Sequence, residues 1–146
     1  MKNKYALYKC NVCGSAMESI GPFRNLSCCG QEMSLLNLNA ADNIDDTHTP
    51  VATPYKQMLL VQIGKKPHPM TQEHHICWVS VMQAQWTQCV LLDPKDTPRA
   101  DFFVDTLEDA TVYAYCNKHG LWVSDIGHET QELAQPAGFA ESSMPA

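Results

Sequence analysis

Four of the first 29 residues are cysteines: Cys10 and Cys13 in "YKCNVCG", then Cys28 and Cys29 in "SCCGQEM". A segment this short cannot bury enough apolar surface to fold unaided, so it needs a staple. Four thiolates arranged as a tetrahedron suit zinc or a single iron. In Cys-x-x-Cys-Gly the glycine lets the backbone turn beneath a metal, so that its amides face the sulfurs. Cys28 and Cys29 are a less usual pair. Adjacent side chains splay apart, and both reach one ion only at a distorted angle. Four reduced, unliganded thiols are the plain alternative, and they would leave the segment without its staple. The expected first domain is residues 1–37, with the short strands "YALYK" and "MSLLNL" around a cysteine-bearing turn.

The whole chain holds seven cysteines in 146 residues. An odd count argues against a pure disulfide framework. "MKNKYALYKC" lacks the apolar stretch of a secretory leader. The expected compartment is therefore the cytoplasm, where structural disulfides are rare and cysteine clusters serve metal or redox chemistry. The formal net charge of −6 argues against nucleic acid as a partner. No apolar run approaches the ~18 residues of a membrane span, so no membrane is expected either.

A polar stretch, "NAADNIDD", reads as part of a linker over residues 38–48. Beyond it the pattern is β. "QMLLVQI" places Leu59, Val61 and Ile63 on one face. "TVYAYC" sets Val112, Ala114 and Cys116 against Thr111, Tyr113 and Tyr115. "HICWVSVMQ" and "WTQCVLL" are apolar runs in which Cys77 and Cys89 read as core residues. Turn clusters such as "DPKDTPRAD" separate the runs. Short strands with turns between them predict a mainly β chain with an antiparallel sandwich over residues 49–126. Residues 127–146 read as a flexible tail.

All six histidines follow residue 47: His48, His68, His74, His75, His119 and His128. A single histidine is more often a surface or hydrogen-bonded residue than a ligand. Several beside turns, together with Cys116-x-x-His119, raise the case for a second metal site. His74 and His75 compete, because neighbours on a strand face opposite sides. His128, at the edge of the tail, has no evident partner.

With these residues in view, the chain resembles desulfoferrodoxin, the two-iron form of superoxide reductase. The resemblance rests on "YKCNVCG", "CCGQEM", "HTPV", "KPHPM", "EHHICWV" and "YCNKHGLW", which fall in the family's order from about Tyr5 to Trp122. It implies a rubredoxin- or desulforedoxin-like domain with one iron on Cys10, Cys13, Cys28 and Cys29. It further implies an immunoglobulin-like antiparallel β-sandwich with a second iron. That iron would take His48, His68, His74 and His119 as equatorial ligands and Cys116 as axial ligand. The spacing from His68 to Trp78 favours His74 over His75. The implied reaction is one-electron reduction of superoxide to hydrogen peroxide, a detoxification under oxidative stress. The implied partners are a small electron-donor protein such as rubredoxin and a second copy in a homodimer.

Two positions depart from the family. Its usual Glu-Lys-His is Asp46-Thr47-His48 here, so the lysine thought to attract the anion is missing. Lys65, Lys66 and Lys118 lie near the proposed ligands and are candidates to replace it, though each also reads as an ordinary solvated lysine. The amides of Lys118 and His119 are placed to bond the Cys116 sulfur. Three other readings compete: a zinc-ribbon module joined to a redox-inactive sandwich, an electron-transfer protein using the four-cysteine iron alone, and a dismutase.

Overall fold

The structure, a computed structural model, describes residues 5–21, 24–36, 44–83 and 86–126. Residues 38–43 of the expected linker and the expected tail, with His128, lie outside the described residues. The chain divides into two compact units, Met1–Asn39 and Ala40–Ala146. Among the described residues every regular element is a strand, and no helix is long and apolar enough to cross a membrane.

The first unit contains β1 (Tyr5–Lys9), β2 (Ala16–Ile20), β3 (Ser27–Cys28), β4 (Gln31–Glu32) and β5 (Ser34–Leu35). β1 is central in a three-stranded antiparallel sheet ordered β2-β1-β5. β3 and β4 form a separate two-stranded hairpin. Cys28 pairs with Gln31, so Cys29 and Gly30 are the two central turn residues, with φ of 52° and 76°. Positive φ at both positions is that of a type I′ turn, whose twist matches the right-handed twist of the flanking strands. This left-handed kink at Cys29 lets two adjacent cysteines turn toward the same point.

The second unit is a sandwich of seven strands: β6 (Pro50–Tyr55), β7 (Met58–Ile63), β8 (Ile76–Met82), β9 (Thr87–Leu91), β10 (Arg99–Phe103), β11 (Thr111–Cys116) and β12 (Gly120–Asp125). One sheet has the order β10-β7-β6 and the other β12-β11-β8-β9. Leu59, Val61 and Ile63 of β7 meet Val112, Ala114 and Cys116 of β11 in one core, with Phe102, Ile76, Val79 and Val81. The alternating pattern read from sequence is the one that builds this core.

The cysteines expected in the core correct that picture. Cys89 is exposed on β9, an edge strand, and Cys77 is only half-buried. β8 pairs Trp78 with Tyr115 but Ile76 with Cys116, so Cys77 is an extra residue in a β-bulge. The bulge breaks the alternation on which the core assignment depended, and it falls at the strand position facing Cys116.

Candidate metal centres

The front site gathers Cys10, Cys13, Cys28 and Cys29, whose sulfurs all lie within 4.8 Å of one another. The Sγ atoms of Cys13 and Cys28 are 3.7 Å apart and those of Cys28 and Cys29 are 3.9 Å apart. Four sulfurs about 2.3 Å from one tetrahedral ion stand roughly 3.8 Å from each other. The amides of Val12 and Cys13 both donate to Cys10 Sγ at 3.4 Å. These amide bonds lower the pKa of Cys10. The Ser15 side chain, 3.1 Å from Cys13 Sγ, leads in lowering Cys13 to about 6. Cys28 is pushed up to about 12, first by its contacts with Cys10 and then Cys13. Cys29 is also raised, chiefly by Cys13. Four thiols packed this closely cannot all ionise alone, and a cation reverses that by holding all four as thiolates.

The second group forms at one end of the sandwich. His48 precedes β6, His68 follows β7, His74 precedes β8, Cys116 ends β11 and His119 precedes β12. Antiparallel pairing brings the start of β6 beside the end of β7, and the end of β11 beside the starts of β8 and β12. Residues 44–48, placed in the linker from sequence, include a hydrogen-bonded turn. Asp45 Oδ1 accepts the amides of Thr47 and His48, and Thr49 Oγ1 accepts the Asp45 amide at 2.9 Å.

The four imidazoles form a square. Neighbouring ring centroids are 4.6 Å apart for His48–His68, 4.5 Å for His68–His74, 4.9 Å for His74–His119 and 4.8 Å for His119–His48. The cross pair His48–His74 is longer, 6.1 Å, as a diagonal must be. Adjacent rings stand at 70–82° to one another. Cys116 is fully buried, with Sγ 3.7 Å from His119 Nδ1 and accepting the His119 amide at 3.4 Å. His48, His68, His74 and Cys116 offer ligand atoms within 4.8 Å of one another. His119 joins them through Nδ1, 3.1 Å from His48 Nε2.

The nitrogens that face inward are left for a ligand. His68 Nδ1 donates to the Pro69 carbonyl at 2.7 Å, and His48 Nδ1 to Asp45 Oδ2 at 2.9 Å. Each bond puts the proton on Nδ1 and turns the Nε2 lone pair inward, at His48 toward His119 Nδ1. The Nε2 atoms of His68 and His74 are buried with no partner. Buried polar atoms are normally paired, so two orphans converging on neutral imidazoles mark a cation site. Burial pushes His68 down to about 4 and lowers His74 as well, which keeps both in the ligating, neutral form.

His75 stands apart from the square. Its Nδ1 pairs with the Thr71 carbonyl at 3.0 Å, and its amide donates to Asn117 Oδ1 at 3.0 Å. Lys65, Lys66 and Lys118 are exposed. The charge of Lys118 is felt at His74, where it adds to the lowering led by burial. Asp46 is exposed, and its carbonyl accepts the Lys66 amide at 2.9 Å. Sequence reasoning missed three residues: Asp45 on the His48 ring, Asn117, and Trp122, whose ring stacks on His48 at 4.4 Å. The sequence signal for Asp45 was an aspartate three positions before a ligand, which also fits a capped turn.

The family profile described as desulfoferrodoxin matches residues 40–125, which include all five residues of the second site. Desulfoferrodoxin of Syntrophotalea carbinolica is 36% identical over 126 residues, covering 86% of this chain and 99% of that protein. A superoxide reductase of Pyrococcus abyssi is 35% identical over 107 residues, covering 61% of this chain and 93% of its own. The superoxide reductase of Treponema pallidum shares the fold, with a TM-score of 0.68 at 22% identity over 85% of this chain and 99% of that one. With the matched profile spanning more than half its length, the chain belongs to the desulfoferrodoxin family.

Proposed function

We infer that this chain is a superoxide reductase whose iron is held by His48, His68, His74, His119 and Cys116. The observation that carries the reading is the square of four imidazoles over one buried thiol, with bare Nε2 atoms facing inward. Four imidazoles and one thiolate would together hold a ferrous ion there. When bound, such an ion would supply one electron to superoxide, with two protons from solvent completing hydrogen peroxide.

The protein's part is to hold the donors in the right state. Burial keeps His68 and His74 neutral. The His119 amide bond to Cys116 Sγ sets how much charge the sulfur donates. The bulge at Cys77 lies opposite Cys116, where it can re-aim the end of β11. The sulfur-rich front site suits a second iron that cycles by one electron or steadies the small unit. A small electron-carrier protein is the proposed donor and a homodimer the proposed assembly, both supported by family membership alone.

The test is metal analysis joined to product analysis. Two irons per chain are expected, with superoxide consumed in the presence of an electron donor and peroxide formed one for one. Zinc in front and no iron behind would return the chain to a binding module. Peroxide at half the superoxide consumed, with oxygen evolved, would mark a dismutase.

A further inference from the structure

We propose that Asp45 is a positioning residue for the second metal centre, acting through the ring of His48. One carboxylate accepts three hydrogen bonds within a four-residue span. Oδ1 takes the amides of Thr47 and His48, and Oδ2 takes the His48 ring at Nδ1, 2.9 Å away. Trp122 stacks on the same imidazole, at 4.4 Å and 17°. The His48 ring is therefore fixed in rotation by an aromatic face and in tautomer by a carboxylate.

The consequence is chemical as well as geometric. With the proton kept on Nδ1, the lone pair of Nε2 points into the square. A carboxylate behind a ligating imidazole also makes that imidazole more basic and adds negative charge near the metal. His68 receives a neutral carbonyl from Pro69 in the same role. The two neighbours in the square are thus unequal donors, and His48 is the electron-rich one. Added negative charge favours the ferric over the ferrous state. Asp45 therefore lowers the potential at which the centre gives up its electron.

The proposal rests on the iron-site reading above, and the experiment separates the two. The iron-loaded full chain is compared with Asp45→Asn and Asp45→Ala. Asparagine keeps an oxygen for the Thr47 and His48 amides but removes the charge. Expected for Asp45→Asn are ferrous-ion affinity at the second site lower by roughly 10–100-fold, and a midpoint potential raised by about 59 mV, a tenfold change in the ferrous-to-ferric ratio. In the zinc-loaded wild-type chain, the His48 Nδ1 proton should give a downfield, slowly exchanging resonance, lost in Asp45→Ala. If Asp45→Asn matches wild type in affinity and potential while Asp45→Ala fails, Asp45 only caps a turn and the proposal is overturned. If wild type takes up no metal at this site, the iron reading falls, and the proposal with it.

Discussion

Asn117 holds the His75 backbone from both sides: its Oδ1 accepts the His75 amide at 3.0 Å, and its own amide donates to the His75 carbonyl at 3.1 Å. Its Nδ2 also donates to the Glu73 carbonyl at 3.0 Å. The segment carrying His74 is thereby tied to the loop carrying Cys116 and His119. Thr71 closes the other side, accepting the His74 amide at its Oγ1 at 3.0 Å.

Asn117→Ala removes two of these bonds and leaves the third, from the backbone. At about 0.5–1.5 kcal/mol per bond, the expected loss is about 1–3 kcal/mol of stability. Faster amide hydrogen exchange at His74 and His75, with no change in the front metal, is the measurement. Unchanged exchange there would show that Thr71 and the Asn117 backbone amide suffice to hold the segment.

Gly64 tests a close approach. Its φ is +86°, and a Cβ there would collide with the carbonyl oxygens of Thr47 and Lys66. Thr47 immediately precedes His48, so the collision moves the turn that presents that ligand. Gly64→Ala combines this clash with a left-handed backbone costing roughly 1–2 kcal/mol for an L residue. The expected protein retains one metal per chain, at the front site, and loses most of the second. Metal content after gel filtration decides it; two metals per chain would mean that the turn yields without cost.

Acid should weaken the metal-stripped protein in a defined window. Burial lowers His68 to about 4, while an unfolded histidine titrates near 6.5. Between those values the unfolded chain binds a proton that the native chain does not. Stability therefore rises with pH across the window and is lost as pH falls from about 6.5 to about 4, by at most about 1.4 kcal/mol per unit for this group. His74 is lowered by burial too and acts in the same direction. Urea midpoints at several pH values should show the slope, and a flat profile would contradict a neutral, buried His68.

Lys118 is a lysine whose charge reaches a site histidine, His74. If it guides the anion in place of the residue absent at Thr47, Lys118→Ala slows the second-order reaction with superoxide and flattens its salt dependence. Screening acts over roughly 8–10 Å at physiological ionic strength. Thr47→Lys speeds the same step. Pulse-radiolysis rates at low and high salt give both numbers, with Lys65→Ala and Lys66→Ala for comparison. Wild-type rate and salt slope in all three alanine variants would dismiss local steering.

The strands legible in the sequence were those whose alternation is paid back by a core on one side, β7 and β11 above all. β6 was hidden by its own composition, because Pro50 and Pro54 argue against a central strand. They are tolerated since β6 is the edge of its sheet. β10 was lost inside a turn-rich stretch, although Ala100 and Phe102 alternate cleanly with exposed neighbours. The metal-ligating residue types stood out because their chemistry is scarce. Asp45 and Asn117 did not, since aspartate and asparagine near turns are common and only the fold shows what they bond.

The two sites differ in when they can come into being. Cys10 and Cys29 are 19 positions apart, whereas His48 and His119 are 71 apart. Short loops close early and long ones late, and synthesis proceeds from the N-terminus. The four thiols can capture an ion while most of the chain is still being made. The square of imidazoles must wait until β11 and β12 have joined their sheet, so a filled second site is a record that the sandwich has finished folding.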